Sequence, residues 1–344
     1  MKAVVFEDIN KLQLHNDYPK PECKKGWVII KVMAAGVCAT DLDIVAGDFG
    51  NPPVVIGHEI CGDIVEVGEG VKNFKVGDRV VVETVVKSCG HCEYCLNGNK
   101  HLCKDAIEIG FPNIDGGYEQ YTTCPESCLH KLKDNISYDE GGILEAVLCP
   151  YGLIYRYGIK ENEIVFIQGT GVAGLSFIQT VKMYNPKKII VAVRRKESVD
   201  LAYKYGADVV INTSEEDLEK RLLEESDGLG PSLSIDAAGA KKTIEDAVKL
   251  TAKGGRVILY GLPRRNTQID FPVNDIILRQ ITVLGGTNNE LAWDALIDDI
   301  SKGKINIKDF VSKTFKLEDY EKAIALLKER PNGFIKAVLH PWEE

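Results

Sequence analysis

At 344 residues the chain exceeds the ~250–300 at which a single core stops growing, so two domains are expected. Its 44% hydrophobic and 27% charged residues are ordinary for a globular chain, and a net charge of −9 without clustered Lys and Arg argues against a nucleic-acid surface. No apolar run reaches the ~18 residues of a bilayer span, and acidic residues interrupt the opening Met1–Asp8 too early for a secretory leader, so a soluble, cytoplasmic protein is expected. In that compartment thiols stay reduced, so the ten cysteines are not expected to pair as disulfides.

Residues 1–85 read as mostly β. Runs at Ala3–Phe6, Trp27–Ala34, Ile60–Val67 and Arg79–Val82 are separated by Gly, Pro and Asp turns at the spacing of a small barrel. Gly36-Val37-Cys38-Ala39-Thr40-Asp41 and Gly57-His58-Glu59 place a thiol and an imidazole beside glycines. Thiolate and imidazole suit zinc, and a catalytic zinc uses three protein ligands with one position left open, so a third ligand must come from elsewhere.

Cys89, Cys92, Cys95 and Cys103 follow, separated by two, two and seven residues. Four thiolates can close a tetrahedron around zinc at ~2.3 Å per bond, leaving no solvent position, so such an ion would order the loop. An iron–sulfur cluster and redox disulfides are the alternatives. His91 and His101 read as loop residues of this lobe, and Cys124 and Cys128 as packed or exposed thiols. Residues 109–135 return to β character, with a strand over Glu119–Thr123.

Residues 137–146 open a helix that carries Glu145 among Ile143, Leu144, Ala146 and Val147. A carboxylate there is costly unless paired or metal-bound, which makes Glu145 a candidate third ligand. Cys149, one helical turn later, competes for that place.

Glu163–Gly174 then reads as a short buried strand, Ile164–Ile167, followed by Gly169-Thr170-Gly171-Val172-Ala173-Gly174 and a helical pattern at Leu175, Ile178 and Val181. Strand, G-x-G-x-x-G and helix in that order form a dinucleotide loop. Gly169 allows the turn, Gly171 leaves the pyrophosphate unobstructed, and Gly174 lets the helix lie close while its free N–H groups face the anion. Strands at Ile189–Val193, Asp208–Ile211, Leu233–Asp236, Arg256–Tyr260 and Ile281–Leu284 continue a doubly wound alternation, with a helix around Leu201–Tyr205. Helices at Leu291–Ile300 and Glu318–Glu329 and a strand at Ile335–Leu339 complete the chain.

Together G-V-C-A-T-D at 36–41, G-H-E at 57–59, V-G-D-R-V at 76–80, the four-cysteine lobe, G-T-G-V-A-G at 169–174 and G-G-R-V at 254–257 resemble the zinc-dependent medium-chain dehydrogenase/reductase superfamily. The nearest branch contains sorbitol, threonine, butanediol and sugar dehydrogenases. The resemblance implies an α/β chain in which a GroES-like β-rich catalytic domain, 1–147 with 288–344, carries a structural zinc lobe at about 88–104. A Rossmann doubly wound parallel-sheet domain occupies 148–287, and the active site lies in the cleft. It implies Cys38 and His58 as catalytic zinc ligands, Glu145 as the third where the ethanol-type branch has a cysteine, Glu59 as an alternating or supporting ligand, and Thr40 as the hydroxyl that relays the alcohol proton. Two zinc ions per chain, a small alcohol, polyol or sugar substrate, and assembly as a dimer or tetramer are implied as well.

Two positions depart from the pattern. Many relatives carry a histidine two residues past the Thr-Asp pair, where this chain has Asp43, a poor base at its ordinary pKa near 3.9. At the end of the second Rossmann strand, where NAD-linked members carry Asp or Glu for the ribose 2′-OH, stands Val193, followed by Arg194, Arg195 and Lys196. With no carboxylate to repel a 2′-phosphate and two guanidiniums able to bind one, NADP is expected over NAD. The expected activity is hydride transfer between a secondary alcohol, polyol or sugar and NADP. The alternatives are an NAD-linked threonine or butanediol type and a non-catalytic zinc-stabilised nucleotide-binding module.

Overall fold

The computed structural model describes residues 1–342 and divides into two compact units: Met1–Leu148 with the tail from Glu290, and Cys149–Asn289. The first division falls inside the helix Leu144–Tyr157.

The first unit is β-rich. Its main sheet runs in the order Leu129–Lys131, Arg79–Val82, Glu59–Val67, Trp27–Val37, Lys336–His340, Val311–Lys316, and Tyr121–Pro125 also pairs with Trp27–Val37. Alternate residues Val28, Ile30 and Val32 of the long strand point into a core shared with Ile60, Ile64, Val80 and Val82. Register matters most at one end of this sheet. Gly36 lies opposite Glu59, and Val37 lies opposite Ala337, so Cys38, Glu59 and Lys336 emerge at one level from three adjacent strands.

The second unit is a six-stranded parallel sheet in the order Val209–Asn212, Lys188–Val193, Ile164–Gln168, Leu233–Asp236, Arg256–Leu259, Thr282–Gly285. This is the doubly wound order, with its switch point beside Ile164–Gln168. All five residues of that central strand are buried, as a strand covered by helices on both faces requires.

Expected and observed elements differ in instructive places. The helix expected from 137 is two: Tyr138–Gly141, closed by a Ser137–Glu140 capping box, and Leu144–Tyr157. Glu145 therefore lies in a first turn rather than mid-helix. A helix also follows Cys38, at Ala39–Val45, because Cys38 caps it and the Asp41 carboxylate returns to the Cys38 N–H at 2.9 Å.

Candidate metal centre and dinucleotide loop

Cys38, His58 and Glu59 each offer a ligand atom, and these atoms lie within 4.8 Å of one another. Cys38 directly follows the long strand, and Glu59 begins its neighbour. His58 is aimed by Gly57, whose φ of +96° and contact with the Tyr118 ring no side chain could share. The His58 Nδ1 faces Asp41 Oδ1 at 3.3 Å, and the other Asp41 oxygen accepts from Tyr118 Oη at 2.6 Å and from the Cys38 N–H. Burial would raise the Asp41 carboxyl, but His58, Tyr118 and the Cys38 N–H hold it below its ordinary value. Burial likewise opposes charge on His58, yet the Cys38 sulfur and Asp41 raise it well above the ordinary imidazole range.

Glu59 is completely buried and receives a hydrogen bond from Lys336 Nζ through one oxygen. Lys336 is itself 3% exposed; burial would strip its charge, but Glu59 and Cys38 hold it above its ordinary value. Glu145 stands outside the closely spaced trio but within electrostatic reach of His58, Glu59 and Lys336, and it accepts from Thr84 Oγ1 at 3.2 Å. Burial raises its carboxyl above the ordinary value. Thr40 Oγ1 accepts from Cys38 Sγ at 3.6 Å. Asp43, one turn further along the same helix, is raised by burial and by Asp48.

In the lobe, the sulfurs of Cys89, Cys92, Cys95 and Cys103 also gather within 4.8 Å. Backbone N–H groups point at them: Cys92 N–H to Cys89 Sγ at 3.3 Å, Cys89 N–H and Asp105 N–H to Cys103 Sγ at 3.5 and 3.4 Å. The N–H groups of His91 and Cys92 hold the Cys89 thiol below its ordinary value, and a bond from Ser88 brings Cys95 down to about 6. This favours thiolates, the form that binds metal, at Cys89 and Cys95, whereas Cys92, despite the Cys95 N–H, is pushed up to about 11 by burial and the neighbouring thiols.

In the second unit Gly169 has φ +102°, and a Cβ on Gly174 would collide with the Gly169 carbonyl. A Cβ on Gly171 would meet nothing within 4 Å. The helix Val172–Lys182 starts at this loop. Val193 ends its strand buried, whereas Arg194, Arg195 and Lys196 are exposed.

Two family models match: the alcohol dehydrogenase GroES-like domain over residues 24–134 and the zinc-binding dehydrogenase domain over 173–302. D-arabitol-phosphate dehydrogenase of Enterococcus avium is 34% identical over 318 residues, covering 91% of this chain and 90% of that protein. The chain belongs to the zinc-type medium-chain dehydrogenase/reductase family. Its fold is that of a crystallised, NADP-bound protein of Sinorhizobium meliloti 1021 (TM-score 0.91, 28% identity, 99% of each chain). It is equally that of an Escherichia coli CFT073 alcohol dehydrogenase solved with NADH (TM-score 0.90, 31% identity, 99% of each chain). As a member of this family it is an NAD(P)-dependent dehydrogenase acting on a CH–OH group, with a GroES-like unit and a Rossmann unit. No helix among the described residues is long and apolar enough to cross a membrane.

The dehydrogenase's donor atoms fit zinc. A thiol, an imidazole and a carboxylate converge at the first centre, where Glu59 Oε2 is buried with no hydrogen-bond partner among the described residues. Four thiols converge at the second.

Sequence reasoning did not single out the groups that hold these ligands. Asp41 was visible as an acid three residues after a cap, and Lys336 as one cation opening an apolar strand. Tyr118 and Ile44 are wholly buried, and the Tyr118 hydroxyl is committed to Asp41. His101, expected as a plain loop residue, bonds Glu290 at 3.0 Å.

Proposed function

We propose that this dehydrogenase transfers a hydride between a secondary alcohol, polyol or sugar and NADP. Cys38, His58 and Glu145 would hold a catalytic zinc, Glu59 would support or alternate with them, and Cys89, Cys92, Cys95 and Cys103 would hold a second, structural zinc. The convergence of Cys38, His58 and Glu59, with Glu145 and Thr40 beside them, carries the reading.

Zinc, when bound, acts as a Lewis acid that lowers the pKa of a substrate hydroxyl, and the nicotinamide takes the hydride. The chain's own residues do the rest. Asp41, 3.3 Å from His58 Nδ1, would fix the tautomer and plane of His58, as a carboxylate behind a ligating imidazole does. Thr40 would relay the hydroxyl proton outward, taking it up as its own hydroxyl proton is passed on. Asp43, with its carboxyl raised by burial and Asp48, is a better proton acceptor near neutrality than an ordinary aspartate. Gly169–Gly174 would seat the pyrophosphate at the helix N-terminus, with Thr170, Val172 and Ala173 lining the loop.

Val193, Arg194 and Arg195 support NADP over NAD. Charge-assisted bonds of ~1.5–3 kcal/mol each correspond to a roughly 10- to 100-fold preference per bond. The exposed Val273, Ile277 and Leu278, on the helix that precedes the edge strand Thr282–Gly285, support a dimer or tetramer. The ten cysteines form no disulfide among the described residues, which supports a reducing, cytoplasmic setting.

The test is metal analysis joined to a panel of alcohols, polyols and aldoses assayed with each cofactor. Two zinc ions per chain, turnover favouring NADP, and loss of turnover in Cys38→Ser with the fold intact are expected. One ion per chain would point to a binding module, and full activity of Cys38→Ser would overturn the catalytic assignment.

A further inference from the structure

Two side chains of the cysteine lobe, Lys100 and His101, reach carboxylates outside it. Lys100 and His101 sit on a single turn, Lys100–Leu102, just before Cys103. Lys100 Nζ bonds Glu83 Oε2, and His101 Nδ1 lies 3.0 Å from both oxygens of Glu290. Both carboxylates are buried, at 4% and 7% exposure. A buried carboxylate needs partners, and the lobe supplies one to each of these two acids.

The two acids occupy consequential places. Glu83 immediately precedes Thr84, whose hydroxyl donates to Glu145 at 3.2 Å and whose carbonyl accepts from the Ile109 N–H at 2.9 Å. Its second oxygen is bonded to His130 Nε2 at 2.8 Å, and His130 in turn lies 2.9 Å from Asp294 and stacks on Trp293. Glu290 opens the tail that rejoins the first unit, and the next residue, Leu291, packs over Gly98 of the lobe. Glu145, Thr84, Glu83, Lys100, His101 and Glu290 thus form one line of contacts from the candidate catalytic carboxylate to the start of the tail, passing through the lobe.

We propose that Lys100 is a positioning residue. Through Glu83 and Thr84, the metal-ordered lobe sets the orientation of Glu145 at the catalytic metal. The proposal rests on the reading of Glu145 as a catalytic zinc ligand. The lobe folds around its thiolates only when an ion closes them. Lys100 carries that order inward because its charge is the neutralising partner of a buried acid. Thr84 is the last link, since its hydroxyl touches Glu145 directly.

The test uses the full chain with cobalt exchanged into the catalytic centre and zinc kept in the lobe, comparing wild type, Lys100→Met, Lys100→Arg, Thr84→Val and Lys104→Met. Lys104 is an exposed lobe lysine and serves as the control. Lys100→Met and Thr84→Val are each expected to keep the lobe zinc, shift the cobalt absorption bands, and lower kcat about 10- to 100-fold, the usual cost of losing a group behind a metal ligand. Lys100→Arg should restore the wild-type bands, and Lys104→Met should not disturb them. Wild-type bands and kcat in Lys100→Met would overturn the coupling even if Thr84→Val shifts them, because Thr84 touches Glu145 directly. If Lys100→Met fails to fold, Lys100→Gln, which removes the charge but keeps a polar group, decides in its place by the same bands and kcat. A wild-type chain that binds one ion instead of two would overturn the proposed function, an outcome separate from failure of the coupling.

Discussion

Lys336 donates to Glu59 inside the first unit, and neither side chain is more than 4% exposed. The pair lies beside Cys38 and His58 because neighbouring strands bring Gly36 opposite Glu59 and Val37 opposite Ala337. A carboxylate so deeply buried needs a countercharge, and removing only one partner leaves the other uncompensated. Lys336→Met is therefore expected to destabilise the chain by about 3–5 kcal/mol, read as a lower urea midpoint. Adding Glu59→Leu should recover most of that stability without recovering activity. A midpoint for Lys336→Met equal to wild type would refute the pairing.

Asp41 holds His58 while accepting from Tyr118 and Cys38, and all its contacts lie within the first unit. Asp41→Asn keeps the shape and removes the charge behind the imidazole. Its catalytic zinc should be lost to a competing chelator at roughly 10- to 100-fold lower chelator concentration, while the lobe zinc is unaffected. Equal retention of both ions would show that Asp41 does not support the ligand.

Arg194 tests the cofactor reading directly. Arg194→Ser should lower kcat/KM for NADP by roughly 10- to 100-fold and leave the NAD value within about twofold, since a lost charge-assisted bond costs only the ligand that made it. A parallel fall with both cofactors would place Arg194 in folding instead of 2′-phosphate recognition.

Two glycines of the dinucleotide loop should behave differently. A Cβ on Gly174 would collide with the Gly169 carbonyl, whereas one on Gly171 projects into open space. Gly174→Ala should lower the Tm of the free protein. Gly171→Ala should leave that Tm unchanged and weaken dinucleotide binding in a fluorescence titration. If both variants lose only Tm, the open space at Gly171 is not a ligand path.

Glu119 is 1% exposed, and its Oε2 has no hydrogen-bond partner among the described residues. Burial first, and then the nearby Asp115, raise its carboxyl well above the ordinary value, against smaller opposing effects of Thr122 and the N-terminus. The unfolded chain releases this proton near pH ~4.3, while the folded chain keeps it to higher pH. Between those limits the folded state binds more protons, so this group's contribution to stability falls as pH rises. Glu119→Gln cannot ionise, and its Tm advantage over wild type should grow as pH rises above about 5 and level off once the folded-state carboxyl has ionised. A constant offset, or a loss at pH 8, would contradict this.

Legibility in the sequence followed the range of the interactions. Four apolar residues before Gly169 declared a buried strand, because a parallel strand covered on both faces has no polar alternation to confuse it. Cys89, Cys92, Cys95 and Cys103 declared themselves by spacing, since their sulfurs meet within a short stretch of chain. Glu145 was harder. The Gly141-Gly142 break, which puts it in a first turn, depends on packing and not on periodicity.

The sequence by itself determined the class of fold and marked a candidate dinucleotide loop and candidate donor atoms, because each motif is written in residues close along the chain. Only the tertiary structure decided which groups stand behind those donors. Lys336 meets Glu59 across 277 residues, and Tyr118 meets Asp41 across 77. Such pairs arise from strand register and from the need of each buried charge for a partner. That requirement becomes visible only once the fold has removed the water.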